Sequence, residues 1–221
     1  MIKIAELSFQ YGRGEFRLHV PELHIERGRR VALVGPSGCG KTTLVNLIAG
    51  IFKPAAGRVS VAGEDLTRFS DAQRRRFRIA RIGFVFQEFE LVEYLSVLDN
   101  ILLPFLINPA MTLTRAVRDA ATRLARDMGL AKKVHRKPRA LSQGERQRVA
   151  ICRALIAEPP LILADEPTGN LDPATAAQIL DLLFEAVTSR DATLLMVTHN
   201  HALLDRFDSV VDVNAFCGEP A

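Results

Sequence analysis

Long apolar runs are missing from this sequence. No stretch reaches the roughly 18 residues that a membrane-crossing helix needs. The N-terminal MIKIAELSFQYGRG has no apolar core of the kind a secretion signal carries. The expectation is a chain that stays in the cytosol. Cysteine is scarce, and Cys39, Cys152 and Cys217 are an odd number without paired spacing. That argues against a disulfide framework and against a zinc site. Internal repeats and low-complexity tracts are missing too. A strong excess of either charge sign is missing: a net +4 over 221 residues fits an ordinary solvated surface. Basic clusters such as RRRFR (74–78) and HRKPR (135–139) read as exposed faces. What is present is 48% hydrophobic residues, enough for one large domain or a core with one insertion.

The apolar pattern opens with short runs. KIAELSF, FRLHV and RRVALVG read as strands, and KTTLVNLIAG as a helix closed by Gly50. GRVSVAG and RIGFVFQ read as further strands. From about Gln87 the spacing turns helical. LSVLDNILLPFL is one helix. In the next, Leu113, Ala116, Val117, Ala120, Leu124 and Met128 fall on one face, with Gly129 as the stop. GERQRVAICRALIAE is another helix, ended by Pro159 and Pro160. LILAD and TLLMVTH are continuous apolar runs, as expected of parallel strands covered on both faces. Asp172 and Pro173 suit the N-cap and first position of a helix between them. A short tail begins near Asn214. Strands, then strand–loop–helix, then an all-helical middle and a return to βαβ describe an α/β fold with a helical insertion in a parallel core.

GPSGCGKT, Gly35 to Thr42, has the spacing G-x-x-x-x-G-K-[ST] between a buried strand and a helix. The glycines let backbone N–H groups turn inward around phosphate oxygens. The helix that follows adds its positive end. Lys41 supplies a charge for the β- and γ-phosphates, and Thr42 a hydroxyl for Mg²⁺. This loop alone says only that a nucleotide binds. In LILADEP, Leu161 to Pro167, a buried strand ends in two adjacent carboxylates, which are costly unless used. Asp165 is placed to hold Mg²⁺, and Glu166 to act as general base toward water.

Together with these two motifs, the order of four more segments resembles the ATP-binding-cassette (ABC) ATPases over nearly the whole chain. The Gly35–Thr42 loop looks like Walker A and LILADE like Walker B. Gln87, closing RIGFVFQ, looks like the Q-loop glutamine. LSQGE (141–145) looks like the signature, GNLD (169–172) like the D-loop, and His199 in MVTHN like the switch histidine. Tyr11 stands where the family places an aromatic that stacks on adenine. The resemblance implies a P-loop NTPase (RecA-like) parallel-sheet core, an N-terminal antiparallel β subdomain and an inserted α-helical subdomain. Residues 1–86 and 158–221 would form the nucleotide-binding core, and 87–157 the helical part of one domain. It implies ATP and Mg²⁺ as cofactors. Gly35, Pro36, Ser37, Gly38, Cys39, Gly40, Lys41, Thr42 and Thr43 would wrap the nucleotide, with Thr42, Gln87 and Asp165 toward the metal. Gln87 also contacts the attacking water, and His199 donates to the γ-phosphate.

Read alone, Ser142 with Glu145 three residues on is a capping box. In the family the same segment faces the phosphate loop of a second copy. Ser142, Gln143, Gly144 and Glu145 would then offer N–H donors and a helix end to the partner's ATP, with Asp172 nearby, in a twofold dimer. Two positions depart from the common pattern: Gln143 stands where Gly is usual, and Asn200 where Asp is usual. DEPTGNLD and SVLDNILLP are similar to the lipoprotein-releasing, macrolide-export and cell-division branch. That similarity implies an export or force-transmitting ATPase, peripheral on the cytoplasmic face of the membrane, driving separate integral membrane permease subunits. Residues 87–106, including Phe89, Leu91 and Tyr94, are expected to be mostly core, with a few lining the permease groove. An importer ATPase for amino acids or metals, or a cassette acting on nucleic acid or ribosomes, are the alternatives. No nucleic-acid partner is expected.

Overall fold

The computed structural model describes residues 1–12 and 16–216; Cys217 and the end of the expected tail lie outside the described residues. Two sheets organise the chain. The first is antiparallel and built from β1 (Ile2–Gln10), β2 (Arg17–Ile25), β4 (Ala56–Val61) and β5 (Glu64–Asp65), in the order β2-β1-β4-β5. Its strands alternate buried and exposed residues, as in β2, where Leu18, Val20, Leu23 and Ile25 are buried. One face therefore covers the core and the other meets water. The second sheet is parallel throughout: β6 (Ile82–Val85), β7 (Leu161–Asp165), β8 (Thr193–Val197), β3 (Arg30–Val34) and β9 (Ser209–Asp212), in that order.

The parallel strands explain their own composition. Leu161 and Leu163 of β7 join one apolar cluster with α1 (Lys41–Ile48) and the antiparallel sheet. Ile162 and Ala164 join the other. That second cluster holds α3 (Val97–Ile107), α4 (Arg115–Asp127), α5 (Gln143–Leu155) and α6 (Pro173–Thr188). A strand covered on both faces has no polar face to show, so its residues are apolar without alternation. Successive strands of the parallel sheet are joined by crossovers, and the sheet's carboxyl edge gathers the loops that follow β3, β7 and β8.

Several sequence expectations shift in detail. Helix α2 (Asp71–Arg81) was not expected, because RRRFR reads only as a charged face; the helix indeed buries none of its residues. Its signal is a capping box: Ser70 Oγ accepts from the Gln73 N–H at 3.3 Å, and Gln73 Oε1 accepts from the Ser70 N–H at 2.8 Å. On α4 the buried face centres on Ala121, Leu124 and Ala125, whereas Ala116 is exposed. Gly129, with φ 73°, sits one residue past the cap Met128. There Leu130 N–H reaches Ala125 O at 2.7 Å and Gly129 N–H reaches Arg126 O at 2.8 Å, a Schellman ending.

Gly83 of β6 fixes how closely α5 approaches the sheet. A Cβ there would stand 2.3 Å from Ala154 O and 2.6 Å from Ile162 Cδ1. Gly83→Ala is therefore expected to cost about 2 kcal/mol or more, since the clash is with backbone and not with a flexible side-chain end. Denaturant unfolding measures it; a change within about 0.5 kcal/mol would show that α5 does not press on β6.

Candidate active site

The phosphate loop leaves β3 and enters α1 through glycines with positive φ: Gly38 at 83° and Gly40 at 93°. Gly40 serves as N-cap of α1 without a side-chain cap, and the first turn holds no acidic residue. The positive end of α1 is thus neither capped by a side chain nor opposed by charge on its own first turn. A Cβ on Gly38 would meet nothing within 4 Å, so that side of the loop is open. Lys41 is buried, and its Nζ donates to Gly35 O and Pro36 O, both at 2.8 Å. The ammonium thus lies against the loop it belongs to, close to where phosphate oxygens would sit.

Tyr11, Phe16, Ser37, Gly38, Gly40, Lys41, Thr42, Thr43, Glu166 and His199 line one cavity. Tyr11 is 46% exposed, yet it is not a stray surface ring. It stands edge-on to Phe9 at 4.9 Å and to Phe52 at 5.6 Å, and its hydroxyl lies 3.0 Å from Thr43 Oγ1. Phe16, whose ring centroid is 5.7 Å from that of Tyr11, belongs to this wall and went unnoticed in the sequence. No periodicity or motif marks it; an aromatic shortly after the Tyr-Gly turn is the only hint.

The acidic strand end lies beside the loop. Asp165 accepts a hydrogen bond from the Thr42 side chain. Burial pushes the Asp165 carboxyl above its ordinary range, and Glu166 adds to this; Thr42, Lys41 and His199 oppose it. Glu166 Oε1 lies 2.6 Å from His199 Nε2. Glu166 holds a left-handed backbone with φ 46°, a strained conformation for a non-glycine residue, and so of the kind found at functional sites. Among the described residues no group of three His, Cys, Asp or Glu could hold a metal. The hydroxyl–carboxylate pair Thr42–Asp165 instead suits a hard cation that takes most ligands from phosphate and water.

Gln87 does not line this cavity. Its amide Nε2 lies 3.1 Å from where a Cβ on Gly169 would stand, and its carbonyl accepts from Asn170 Nδ2 at 3.3 Å. The segment after the acidic strand end therefore holds it. Cys39 is buried under the loop, near the space a Gly35 side chain would fill. Asp172 caps α6, accepting from the Thr175 N–H at 3.0 Å, and its carboxyl is held below the ordinary range by Thr175. Ser142, Gln143, Gly144 and Glu145 are not among the residues lining the phosphate-loop cavity. Ser142 is the N-cap of α5, and the capping box is complete: Ser142 N–H to Glu145 Oε2 at 3.0 Å, Glu145 N–H to Ser142 Oγ at 3.3 Å. Lys133 pairs with the same Glu145 carboxylate, whose pKa it lowers. Ser142 and Gln143 are exposed.

Asp165 yields a prediction with a defined sign. A carboxyl whose folded pKa is raised costs stability while ionised, and the cost disappears as pH falls through that raised value. Asp165→Asn is expected to raise the melting temperature of the nucleotide-free protein at pH 7, with the gap to the parent narrowing at acid pH. Thermal melts at both pH values check it; a lower melting temperature for the variant would contradict this electrostatic picture.

Comparison with known proteins agrees with this geometry. The pattern of the family described as "ABC transporter" matches residues 18–169. The lipoprotein-releasing system ATP-binding protein LolD of Xanthomonas euvesicatoria is 38% identical over 97% of this chain and 88% of its own length. LolD of Legionella pneumophila is 39% identical over 93% and 91%. The dimeric post-hydrolysis structure of the ATP-binding cassette MJ0796 bound to ADP and Pi superposes with a TM-score of 0.85 at 33% identity, over 96% of this chain and 94% of that one. With its phosphate loop, acidic strand end and His199 gathered at one edge of a parallel sheet, the chain belongs to the ABC transporter family of ATPases.

Proposed function

We propose that this ATPase closes as a homodimer around two ATP and drives a separate membrane permease that exports or releases lipidic or hydrophobic cargo. A separation carries the reading. The cavity that gathers the phosphate loop, Glu166 and His199 does not include Ser142, Gln143, Gly144 or Glu145 among its lining residues, while Ser142 and Gln143 at the positive end of α5 are exposed. A twofold copy would supply each site with the other's helix end. The related cassette MJ0796 is described as dimeric, in agreement.

Within each site, Lys41 and the loop N–H groups bind the polyphosphate, and Tyr11 offers its ring to the base. Thr42 and Asp165 would hold Mg²⁺, which neutralises phosphate charge when bound, and Gln87, which stands beside Gly169 outside the cavity's lining, would reach the metal and the attacking water only once the site closes. Glu166 accepts the proton of the attacking water, and His199 donates to the γ-phosphate oxygen. Residues 1–86 and 158–221 act as the nucleotide-binding core, and 87–157 as the helical subdomain.

The permease partner is supported by an apolar groove between α2, β6, α3 and α5. Ile79, Phe84, Phe86, Leu103, Pro104 and Ile107 line it, together with Arg78, Arg153 and Glu90. Phe84 and Phe86 stack at 4.1 Å, and Ile107 is 55% exposed. Its occupant on this reading is a short cytoplasmic helix of the permease, which places the chain on the cytoplasmic face of the membrane. Tyr94, 78% exposed, stands outside the groove, and Leu91 packs on the core. No helix among the described residues is long and apolar enough to cross a membrane. Relatives named for lipoprotein release support a lipidic cargo.

Glu166→Gln is expected to leave ATP binding intact, cut turnover by about 10²-fold or more, and trap the dimer with ATP and Mg²⁺. Light scattering and steady-state hydrolysis check this together. A monomeric variant at saturating ATP, with turnover unchanged, would sink the dimer and the assignment of the base alike.

A further inference from the structure

Arg153 stands in the last turn of α5, eleven residues beyond Ser142. An arginine fork ordinarily meets a carboxylate or phosphate. Here it meets main chain. Nη2 donates to Phe89 O at 2.7 Å, and Nη1 donates to Glu90 O.

The two carbonyls belong to adjacent left-handed residues, Phe89 with φ 60° and Glu90 with φ 48°. Neither is glycine. Phe89 is also the centre of a three-residue turn closed by Glu90 N–H to Glu88 O at 2.6 Å. A γ-turn with positive φ at its centre is rare and strained. Such a conformation persists only where its surroundings over-determine it. The rigid guanidinium grips both residues at once.

This turn lies between two parts of the mechanism. Two residues before Phe89 is Gln87, whose amide rests against Gly169. On the other side, Glu90 and Arg153 border the apolar groove. We propose that Arg153 is a positioning residue for hydrolysis: it holds the 88–90 turn in its strained form and so sets where the Gln87 amide stands. The same contact ties the far end of the helix capped by Ser142 to the segment carrying Gln87. A movement of α5 when its exposed end meets a partner's nucleotide therefore reaches the turn directly. The inference rests on the proposed roles of Gln87 and Ser142. Arg153 itself touches no nucleotide.

Steady-state ATP hydrolysis and ATP affinity of the full chain test it. Arg153→Met is expected to lower kcat about tenfold and leave the ATP Kd within about twofold, because a displaced amide costs the transition state and not ground-state binding. Adding Phe89→Gly and Glu90→Gly to that variant is expected to bring kcat back to within about threefold of the parent, since glycine adopts positive φ without strain. A purely structural arginine would show no such rescue. If Arg153→Met does not fold, Arg153→Lys replaces it; one ammonium cannot hold both carbonyls, so faster amide hydrogen exchange at 89–91 and a lower kcat are expected. Parental kcat and parental exchange, a loss of kcat that the glycines do not recover, or a parallel loss of affinity each overturn the assignment. Glu166→Gln in the same assay separates the readings. If it abolishes turnover while Arg153→Met does not lower it, only the role of Arg153 falls; if neither lowers turnover, the proposed mechanism falls.

Discussion

Leu33, Val197 and Asp165 stand level across three neighbouring parallel strands, β3, β8 and β7. Everything at the site depends on that register. The phosphate loop begins two residues past Leu33, His199 two past Val197, and Glu166 one past Asp165. Because the three strands end together, the loops that leave them share one edge and their side chains converge. A slip of one residue would turn each strand's inward set outward and mix the two apolar clusters, so burial on both faces enforces the alignment. The cores on either side of the sheet are thus what hold Lys41, Asp165 and His199 near one another.

The site gathers several costly features in one place. Asp165 is ionisable and largely shielded from water, and Glu166 adopts a backbone that favours glycine. The ammonium of Lys41 is buried, held by two carbonyls of its own loop. The charges of Asp165 and Lys41 carry a desolvation cost that a bound cation and phosphate would offset. Nucleotide therefore acts as part of the folded structure as well as its substrate. A protein built this way is expected to gain stability on binding.

Much of this was legible in the sequence. Continuous apolar runs at LILAD and TLLMV marked doubly covered strands, and glycine spacing with Lys-Thr marked the phosphate loop between strand and helix. Asp172 and Pro173 marked the start of α6. Helix α2 escaped because none of its residues is fully buried and arginines surround Phe77, so no apolar period betrays it; only its Ser-x-x-Gln cap did. The face of α4 was placed slightly off because Ala116 and Ala121 look alike in a pattern, while only Ala121 lies under neighbouring helices. Phe16 escaped because no motif or period marks a ring that packs beside Tyr11 across a turn. The left-handed turn at 89–90 could not be read at all: Phe and Glu carry no signal for positive φ, and the group that holds it comes from position 153.

Gly144 shows what the fold permits to drift. A Cβ at this position would stand 2.7 Å from Thr175 Cγ2, in the first turn of the helix that Asp172 caps. Its neighbour Gln143 points into the open. Adjacent residues of one motif thus answer to different constraints: the chain carries a long amide at 143 in the open, but at 144 a side chain would have to displace the Thr175 methyl. Divergence along this motif should then be uneven, free at one site and locked to a distant helix at the next. An unusual signature such as LSQGE is, on these grounds, compatible with an intact helix junction and no sign of decay.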